Sequence, residues 1–259
     1  MNHADFLPVI DLLKNVGKQI VEWRSDPSLR ELYSVADFKT RADQKAHALI
    51  SEGLKGLYPD IAILSEESLV HPKSRPSKYW LIDPIDGTAS WYNGFDGFVT
   101  QAAYIESSVP LYGIVHAPIL KTTWTALKGS GAYKNGALLS GLNFSDRLVM
   151  VDNTPEPHGI CKAFASHFEI TDYIESGSLG LKSVFVADGT ADLFVKDVVV
   201  RDWDIAPAFV IINEVGGYLS LADGLNFNFE GEYEKESGII VARDKVIMNK
   251  SLRFFKEIN

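Results

Sequence analysis

Asp83-Pro84-Ile85-Asp86-Gly87-Thr88 follows the apolar run Tyr79-Trp80-Leu81-Ile82, so two carboxylates and a Gly-Thr step come at the end of a predicted buried strand. Hard divalent cations prefer carboxylate and carbonyl oxygens, and two cations about 4 Å apart promote in-line phosphoryl displacement. If the next segment opens a helix, the backbone N–H groups of Gly87 and Thr88 form an anion site. The stretch therefore predicts a site for metal ions and phosphate.

The composition is that of a globular protein, with 259 residues of which 46% are hydrophobic and 23% charged. A net charge of −9 argues against binding to a nucleic-acid polymer, because clustered Lys and Arg bind phosphate backbones. It is compatible with a small phosphorylated molecule, because metal ions reverse the local field. Cys161 is the single cysteine, which excludes an intrachain disulfide and a cysteine-based zinc site.

The N-terminus shows an amphipathic helical pattern rather than a signal peptide, and no apolar run approaches the roughly 18 residues that cross a bilayer. We therefore expect a cytoplasmic protein without a membrane partner.

Hydrophobic periodicity along the chain predicts a mixture of helices and strands. The predicted helices are 6–20, 46–57, 158–168, 178–187, 205–215 and 245–255, and the predicted strands are 61–64, 79–82, 98–105, 111–116, 122–127, 148–151, 191–196, 218–221 and 238–242. We expect an α+β chain with two halves, residues 1–141 and 142–259, that pack as one compact unit.

Acidic residues recur at the ends of these predicted elements, and each has an ordinary structural explanation when taken alone. Asp43 suits a helix cap, Glu66-Glu67 suits a solvated turn, and Asp204 suits the N-cap of the helix that contains Pro207. Strands of one sheet bring their ends to a shared crevice, where such carboxylates would repel one another unless cations neutralised them. Magnesium suits a cluster of this kind. The acidic groups are Asp37, Asp43, Glu66, Glu67, Asp83, Asp86 and Asp204.

Several segments resemble the motifs of the inositol monophosphatase family, the lithium-sensitive phosphatases, in the right order along nearly the whole chain. Ser65 replaces a family glycine in the second of them. The segments are 36–43 (D-x-x-T-x-x-D), 64–68 (G-E-E-S), 83–88 (D-P-[IL]-D-G-T), 203–206 (W-D-x-A) and 214–217 (E-A-G-G).

The resemblance implies a layered αβαβα sandwich and a Mg²⁺-dependent phosphomonoesterase with two metal ions, or three if one binds more loosely. Glu66, Asp83 and the carbonyl of Ile85 would hold one ion, and Asp83, Asp86 and Asp204 the second. Residues 1–141 would then carry most metal ligands, while residues 142–259 supply Asp204 and substrate contacts.

The resemblance also implies the catalytic roles. Thr88, hydrogen-bonded to Asp43, would orient a water beside Glu66 for attack on phosphorus, because metal coordination lowers the pKa of bound water. The Gly87 and Thr88 amides, together with Asp86, would hold the phosphate. Glu67 is expected beside the ligands rather than among them.

The substrate signature is ambiguous. After Asp-Gly-Thr the chain has Ala89-Ser90-Trp91, which fits the usual sequence of neither inositol phosphatases, nucleotide 3′-phosphatases nor histidinol phosphatases. In contrast, Gly177-Ser178 with Leu181-Lys182 resembles a nucleotidase segment and marks Ser178 and Lys182 as candidate substrate contacts, although Lys182 also suits a solvated helix lysine.

Two further candidate substrate contacts precede the W-D-x-A motif. Asp197 and Arg201 fall where the family places contacts to substrate hydroxyls, and Arg201 also suits contact with a second phosphate or a partner subunit.

The sequence favours hydrolysis of a small phosphorylated polyol. The main alternative is a 3′(2′),5′-bisphosphate nucleotidase, and a regulatory binding protein is a third hypothesis. The resemblance further implies a lithium-sensitive homodimer.

Overall fold

The computed structural model describes residues 2–34, 38–68, 70–141 and 147–258. The acidic residue Asp37 lies outside these ranges, and so do residues 142–146, which directly follow the predicted boundary. The helices are α1 (Leu7–Glu22), α2 (Arg41–Leu57), α3 (Thr88–Asn93), α4 (Gly159–His167), α5 (Leu179–Ala187), α6 (Asp202–Glu214) and α7 (Lys245–Ile258).

The strands are β1 (Leu32–Ser34), β2 (Lys39–Thr40), β3 (Ala62–Ser65), β4 (Lys78–Asp86), β5 (Val99–Glu106), β6 (Val109–Ala117), β7 (Thr122–Leu127), β8 (Ala132–Lys134), β9 (Ala137–Leu138), β10 (Val149–Asp152), β11 (Asp172–Glu175), β12 (Leu193–Lys196), β13 (Val200–Arg201), β14 (Tyr218–Leu221), β15 (Glu234–Lys235) and β16 (Ile239–Ala242).

The larger sheet contains seven strands in sequence order from β3 to β9. Strands β3 and β4 are parallel, and every later neighbour is antiparallel. The parallel pair matters for the site, because the carboxyl ends of β3 and β4 meet at one edge of the sheet.

A second, smaller sheet contains five strands in the order β11-β10-β12-β16-β14, and the pairs β1-β2 and β13-β15 form separate two-stranded sheets. Strand β10 is parallel to β11 and β12, and the remaining pairs are antiparallel.

The helices and the two sheets form five layers. Helices α1 and α2 cover one face of the larger sheet, α5 and α6 lie between the sheets, and α4 and α7 cover the outer face of the smaller sheet. Each interface holds its own group of buried apolar side chains. The predicted α+β class is confirmed, and the layers follow the order that the resemblance implied. No helix in the described part of the chain has the length and apolar character needed to span a membrane.

The structure contains short strands that the sequence did not predict, among them β1, β2, β13 and β15. Residues 172–175 form the edge strand β11, which was also not predicted, because four residues are too few to show a clear alternation of apolar and polar side chains. Helix α6 begins at Asp202, not Ile205, because Arg201 is the last residue with extended backbone. Asp204 is therefore the third residue of α6 rather than its N-cap.

Candidate active site

Three carboxylates from two elements meet in one buried space. Asp83 and Asp86 belong to β4, and Asp204 belongs to the first turn of α6. Each offers a carboxylate oxygen, and these oxygens all lie within 4.8 Å of one another. Glu66 directly follows β3, the parallel neighbour of β4, and its backbone N–H donates to the carbonyl of Ile82 at 3.2 Å. Its charge acts on Asp83 and Asp204 from there.

The electrostatics of this cluster fit a bound cation. Burial, followed by the charges of Glu66, Asp86 and Asp204, raises the pKa of Asp83 well above its ordinary value. The pKa of Asp204 is raised likewise by burial and then by Asp86 and Glu66. Carboxylates that destabilise one another's charge are stabilised by a cation, and an all-oxygen donor set suits a hard divalent ion.

Asp86 also holds the start of α5. Its carboxylate accepts hydrogen bonds from Ser178 Oγ at 2.6 Å, the Gly180 N–H at 2.7 Å and the Leu179 N–H at 3.1 Å. Burial raises the pKa of Asp86, and these three donors act in the opposite direction. Ser178 therefore binds a predicted metal ligand, and its predicted contact with substrate stays a prediction.

Thr88 is linked to Asp43 on the other side of the cluster. Thr88 Oγ1 donates to Asp43 Oδ1 at 2.7 Å, and the carbonyl oxygen of Ile85 lies 3.0 Å from the same hydroxyl. Asp43 is the third residue of α2, and its Oδ2 accepts the Thr40 N–H at 2.8 Å. It thus holds the helix end and Thr88 together, and burial raises its pKa to about 6.

Gly87 permits the turn that connects β4 to α3. Its φ is 93°, in the left-handed region, and a Cβ there would lie 2.9 Å from the carbonyl oxygen of Gly97 and 3.2 Å from the Ser178 nitrogen. A side chain would therefore push apart β4 and the start of α5.

Lys39 neutralises the acidic pair after β3. Its ammonium group lies 3.0 Å from Glu67 Oε1 and 3.4 Å from Glu66 Oε1, and Glu67 also accepts a hydrogen bond from the Tyr33 hydroxyl. Burial raises the pKa of Glu67 to about 7. Glu67 is thus engaged by Tyr33 and Lys39, in agreement with a place beside the ligands.

A pocket of about 380 Å³ opens beside Asp86 and Gly87, with Lys182 and Lys196 on its wall. Lys182 is only 3% exposed, so its interpretation as a solvated lysine is wrong. Burial lowers its pKa to about 8. Lys196 Nζ donates to Asp152 Oδ1 at 3.0 Å and to Asn153 Oδ1 at 2.7 Å.

Asp197 and Arg201 lie at different places. Asp197 is exposed directly after β12. Arg201 donates from Nε to Glu234 Oε1 at 2.9 Å and lines a groove that also contains Lys39 and Glu66. Their predicted contacts with substrate stay predictions.

Sequence reasoning missed Lys39, Gln101 and Asp152. Gln101 Nε2 lies 3.2 Å from Asp86 Oδ2, and Asp152 holds Lys196. A polar residue inside an apolar strand pattern was the available signal for Gln101, whereas nothing in the sequence around Lys39 or Asp152 indicated their partners.

Comparison with known proteins agrees with this geometry. The inositol monophosphatase family matches residues 7–258. The fructose-1,6-bisphosphatase/inositol-1-monophosphatase of Thermotoga maritima is 30% identical over 251 residues, covering 95% of each chain. The 3′(2′),5′-bisphosphate nucleotidase CysQ of Aggregatibacter actinomycetemcomitans is 34% identical over 197 residues, covering 70% of each chain. The solved IMPase structure of Thermotoga maritima superimposes with a TM-score of 0.83 at 27% identity, covering 100% of this chain and 98% of that one.

The fold, the family match and these relatives identify a phosphoric monoester hydrolase of a metal-dependent family, and its buried acidic cluster is suited to hold a metal ion. The chain belongs to the inositol monophosphatase family.

Proposed function

We propose that the protein is a Mg²⁺-dependent phosphomonoesterase that hydrolyses a small phosphorylated polyol. The observation that carries this proposal is the buried cluster of Asp83, Asp86 and Asp204 next to the Gly87–Thr88 turn. Glu66, Asp83 and the Ile85 carbonyl would hold one ion, and Asp83, Asp86 and Asp204 the other. Bound Mg²⁺ would supply charge neutralisation for the phosphate oxygens and a more acidic water.

The chain's own groups orient the nucleophile. Because the Thr88 hydroxyl gives its only proton to Asp43, its oxygen is left as an acceptor toward the cluster. It therefore accepts a hydrogen bond from the attacking water and directs that water beside Glu66, whose carboxylate takes the proton. General-base assistance of this kind contributes about 10²–10⁴-fold to a rate.

The pocket beside Asp86 favours a polyol leaving group. Ser90, Asn93 and Asn153 line it with hydroxyl and amide groups that can bind substrate hydroxyls. Trp91 takes no part, because it is buried and donates from Nε1 to the Ile20 carbonyl at 2.7 Å. The unusual Ala89-Ser90-Trp91 segment is thus one core residue preceded by two small pocket residues.

Two lysines in the same pocket support a second candidate, the 3′(2′),5′-bisphosphate nucleotidase. Lys182 and Lys196 would attract a second phosphate, although Asp152 neutralises part of their charge. Similarity to the nucleotidase CysQ agrees with this alternative.

A phosphate-release assay separates the two candidates. The metal-stripped enzyme is assayed with and without Mg²⁺ on inositol 1-phosphate, adenosine 3′,5′-bisphosphate, fructose 1,6-bisphosphate and histidinol phosphate. We expect Mg²⁺-dependent release with the highest kcat/KM for inositol 1-phosphate. A preference for the bisphosphorylated nucleotide that Lys182→Met removes would establish the second candidate. Equal release in EDTA would overturn the Mg²⁺ mechanism.

We also propose a cytoplasmic, lithium-sensitive homodimer. Phe95 and Leu120 are 61% and 43% exposed and line one groove with Phe185, an apolar surface that a second copy would cover. Light scattering of the purified protein should give twice the mass of the chain.

A further inference from the structure

Gln101 connects metal ligands that come from different elements. It lies in β5 and is fully buried. Its Nε2 atom lies 3.2 Å from Asp86 Oδ2 and 3.2 Å from the backbone carbonyl oxygens of both Trp203 and Asp204. All three neighbours act as acceptors, which requires the nitrogen rather than the oxygen of the amide to face them. One side chain therefore binds both the β4 ligand Asp86 and the backbone that carries Asp204.

The carbonyl of Trp203 needs an outside donor because of Pro207. In an α-helix this carbonyl would accept the N–H of residue 207, and proline has none. Pro207 lies inside α6. Gln101 supplies the missing donor from β5, across the interface between the larger sheet and the helices.

The fit around Gln101 is tight. A Cβ on Gly180 in α5 would lie 2.2 Å from Gln101 Oε1, so α5 packs directly against the amide. Oε1 itself is buried without a hydrogen-bond partner within the described part of the chain. An unpaired buried acceptor destabilises the fold, and an apolar residue of the same length would avoid that cost. The amide is therefore retained for what its nitrogen does.

We propose that Gln101 and Pro207 act together to fix Asp204 relative to Asp86, and thereby set the affinity of the site for divalent cations. The inference rests on the proposed Mg²⁺ dependence. Gln101 is a positioning residue, since it acts through Asp86 and the backbone at Asp204. Small divalent cations require near-ideal ligand geometry, and loss of an outer partner of a ligand typically lowers metal affinity or activity by 10–100-fold.

The test measures Mn²⁺ binding, by the electron paramagnetic resonance signal of free Mn²⁺, in the wild type and four variants. Gln101→Met keeps length but removes the donors, and we expect its Kd for Mn²⁺ to rise about 10–100-fold. Its KM for Mg²⁺ should rise in parallel, while kcat at saturating Mg²⁺ changes by only a few-fold. Thr100→Val is the matched control, because Thr100 is the buried neighbour in β5 and its hydroxyl has no hydrogen-bond partner among the described residues. We expect it to match the wild type.

Pro207 provides an independent readout. Pro207→Ala restores the N–H that pairs with the Trp203 carbonyl, so the double variant Gln101→Met/Pro207→Ala should bind Mn²⁺ more tightly than Gln101→Met alone. If Gln101 only stabilised the fold, Pro207→Ala would restore the Tm of the double variant, and the Kd for Mn²⁺ would be the same in all variants.

Each outcome decides the matter. A wild type that binds neither Mn²⁺ nor Mg²⁺ overturns the proposed function and this inference with it. A wild type that binds, with Gln101→Met unchanged or not rescued by Pro207→Ala, overturns the inference alone. If Gln101→Met does not fold, Gln101→Asn, which keeps the donors but retracts them, should show an intermediate Kd. Failure of both variants to fold would assign Gln101 to stability and overturn the inference.

Discussion

At the residue scale, the Thr88–Asp43 hydrogen bond is the contact on which the proposed mechanism depends most directly. Thr88→Val removes the hydroxyl without changing side-chain shape, and we expect kcat/KM to fall by about 10²–10⁴-fold. Thr88→Ser keeps the donor to Asp43 and should retain activity within a few-fold. Steady-state phosphate release by both variants checks this pair. A valine variant as active as the serine variant would contradict the role of the hydroxyl.

Asp83 differs from the other proposed metal ligands because Glu66, Asp86 and Asp204 all act on its charge. Asp83→Asn should reduce phosphate release by more than the ~100-fold that loss of an outer partner costs. It should also raise the Tm of the metal-free protein, since one of the repelling buried charges is removed.

Phosphate-release assays with Mg²⁺ test the loss of activity of Asp83→Asn, and calorimetry in EDTA tests the rise in its Tm. The exposed Asp60→Asn is the control for both measurements. Unchanged turnover would exclude the metal mechanism. Retention of a protein partner by the inactive variant would instead support the regulatory hypothesis.

The acidic residues proposed as metal ligands could be located from sequence because each lies near the end of a recognisable strand or the start of a helix. Glu66 and Asp83 meet because β3 and β4 are parallel. Gln101 could not be predicted in this way, since its partners at Trp203 and Asp204 are 102 and 103 residues away and both are backbone carbonyls. Pro207 shows from sequence that the Trp203 carbonyl lacks its helical donor. The residue that donates in its place can be identified only when the strand packed against the helix is known.

At the scale of elements, the start of α5 is joined to the β4–β5 connection by close backbone contact. A Cβ on Gly177 would lie 2.3 Å from the Gly97 carbonyl oxygen and 2.1 Å from Ser90 Oγ. The serine side chain can rotate, but the backbone carbonyl cannot move without shifting the chain that leads into β5. The hydrogen bonds from the start of α5 to Asp86 depend on this contact.

Gly177→Ala should therefore destabilise the protein by about 1–3 kcal/mol and lower its Mg²⁺ affinity, because overpacking displaces the start of α5. Gly56→Ala is the matched control, since Gly56 is exposed in α2 and a Cβ there would meet no atom of the described residues within 4 Å. It should stabilise by about 0.5–1 kcal/mol through helix propensity. Denaturant unfolding of the two variants should give changes of opposite sign, and equal signs would contradict the assignment.

The amphipathic helices were predictable because apolar residues repeat along one face of each helix. In α1 the buried positions Val9, Leu13, Val16 and Ile20 repeat at helical spacing. Strand β11 lacks such a signal, because its residues are half-buried at a sheet edge and its pairing partner β10 lies more than twenty residues earlier.

At the scale of the whole molecule, most of the carboxyl groups whose pKa values depart from the ordinary value have raised pKa values. Burial raises the pKa of Asp43 to about 6 and that of Glu67 to about 7, and the pKa values of Asp83, Asp86 and Asp204 are also raised. A group with a raised folded-state pKa stabilises the fold fully below its unfolded pKa, and that contribution is lost as the pH rises through the folded pKa. Burial lowers the pKa of His116 to about 4 and that of Lys182 to about 8, and it also lowers the pKa of His47. These groups act in the opposite sense but are fewer than the carboxyl groups whose pKa values are raised.

The metal-free protein should therefore become more stable as the pH falls from 8 to 5.5. We expect a Tm increase of at least about 2–4 °C, which corresponds to about 1 kcal/mol for a chain of this size. Calorimetry in EDTA measures this change in Tm. Added NaCl screens the repulsion between exposed charges, because the net charge of the chain is −9. Saturating Mg²⁺ should raise the Tm more at pH 8 than at pH 5.5, because protons compete with the cation for the same oxygens. Asp83→Asn should flatten both dependences. A metal-free Tm that falls with decreasing pH in high salt would show that the buried carboxylates are not the source of the pH dependence.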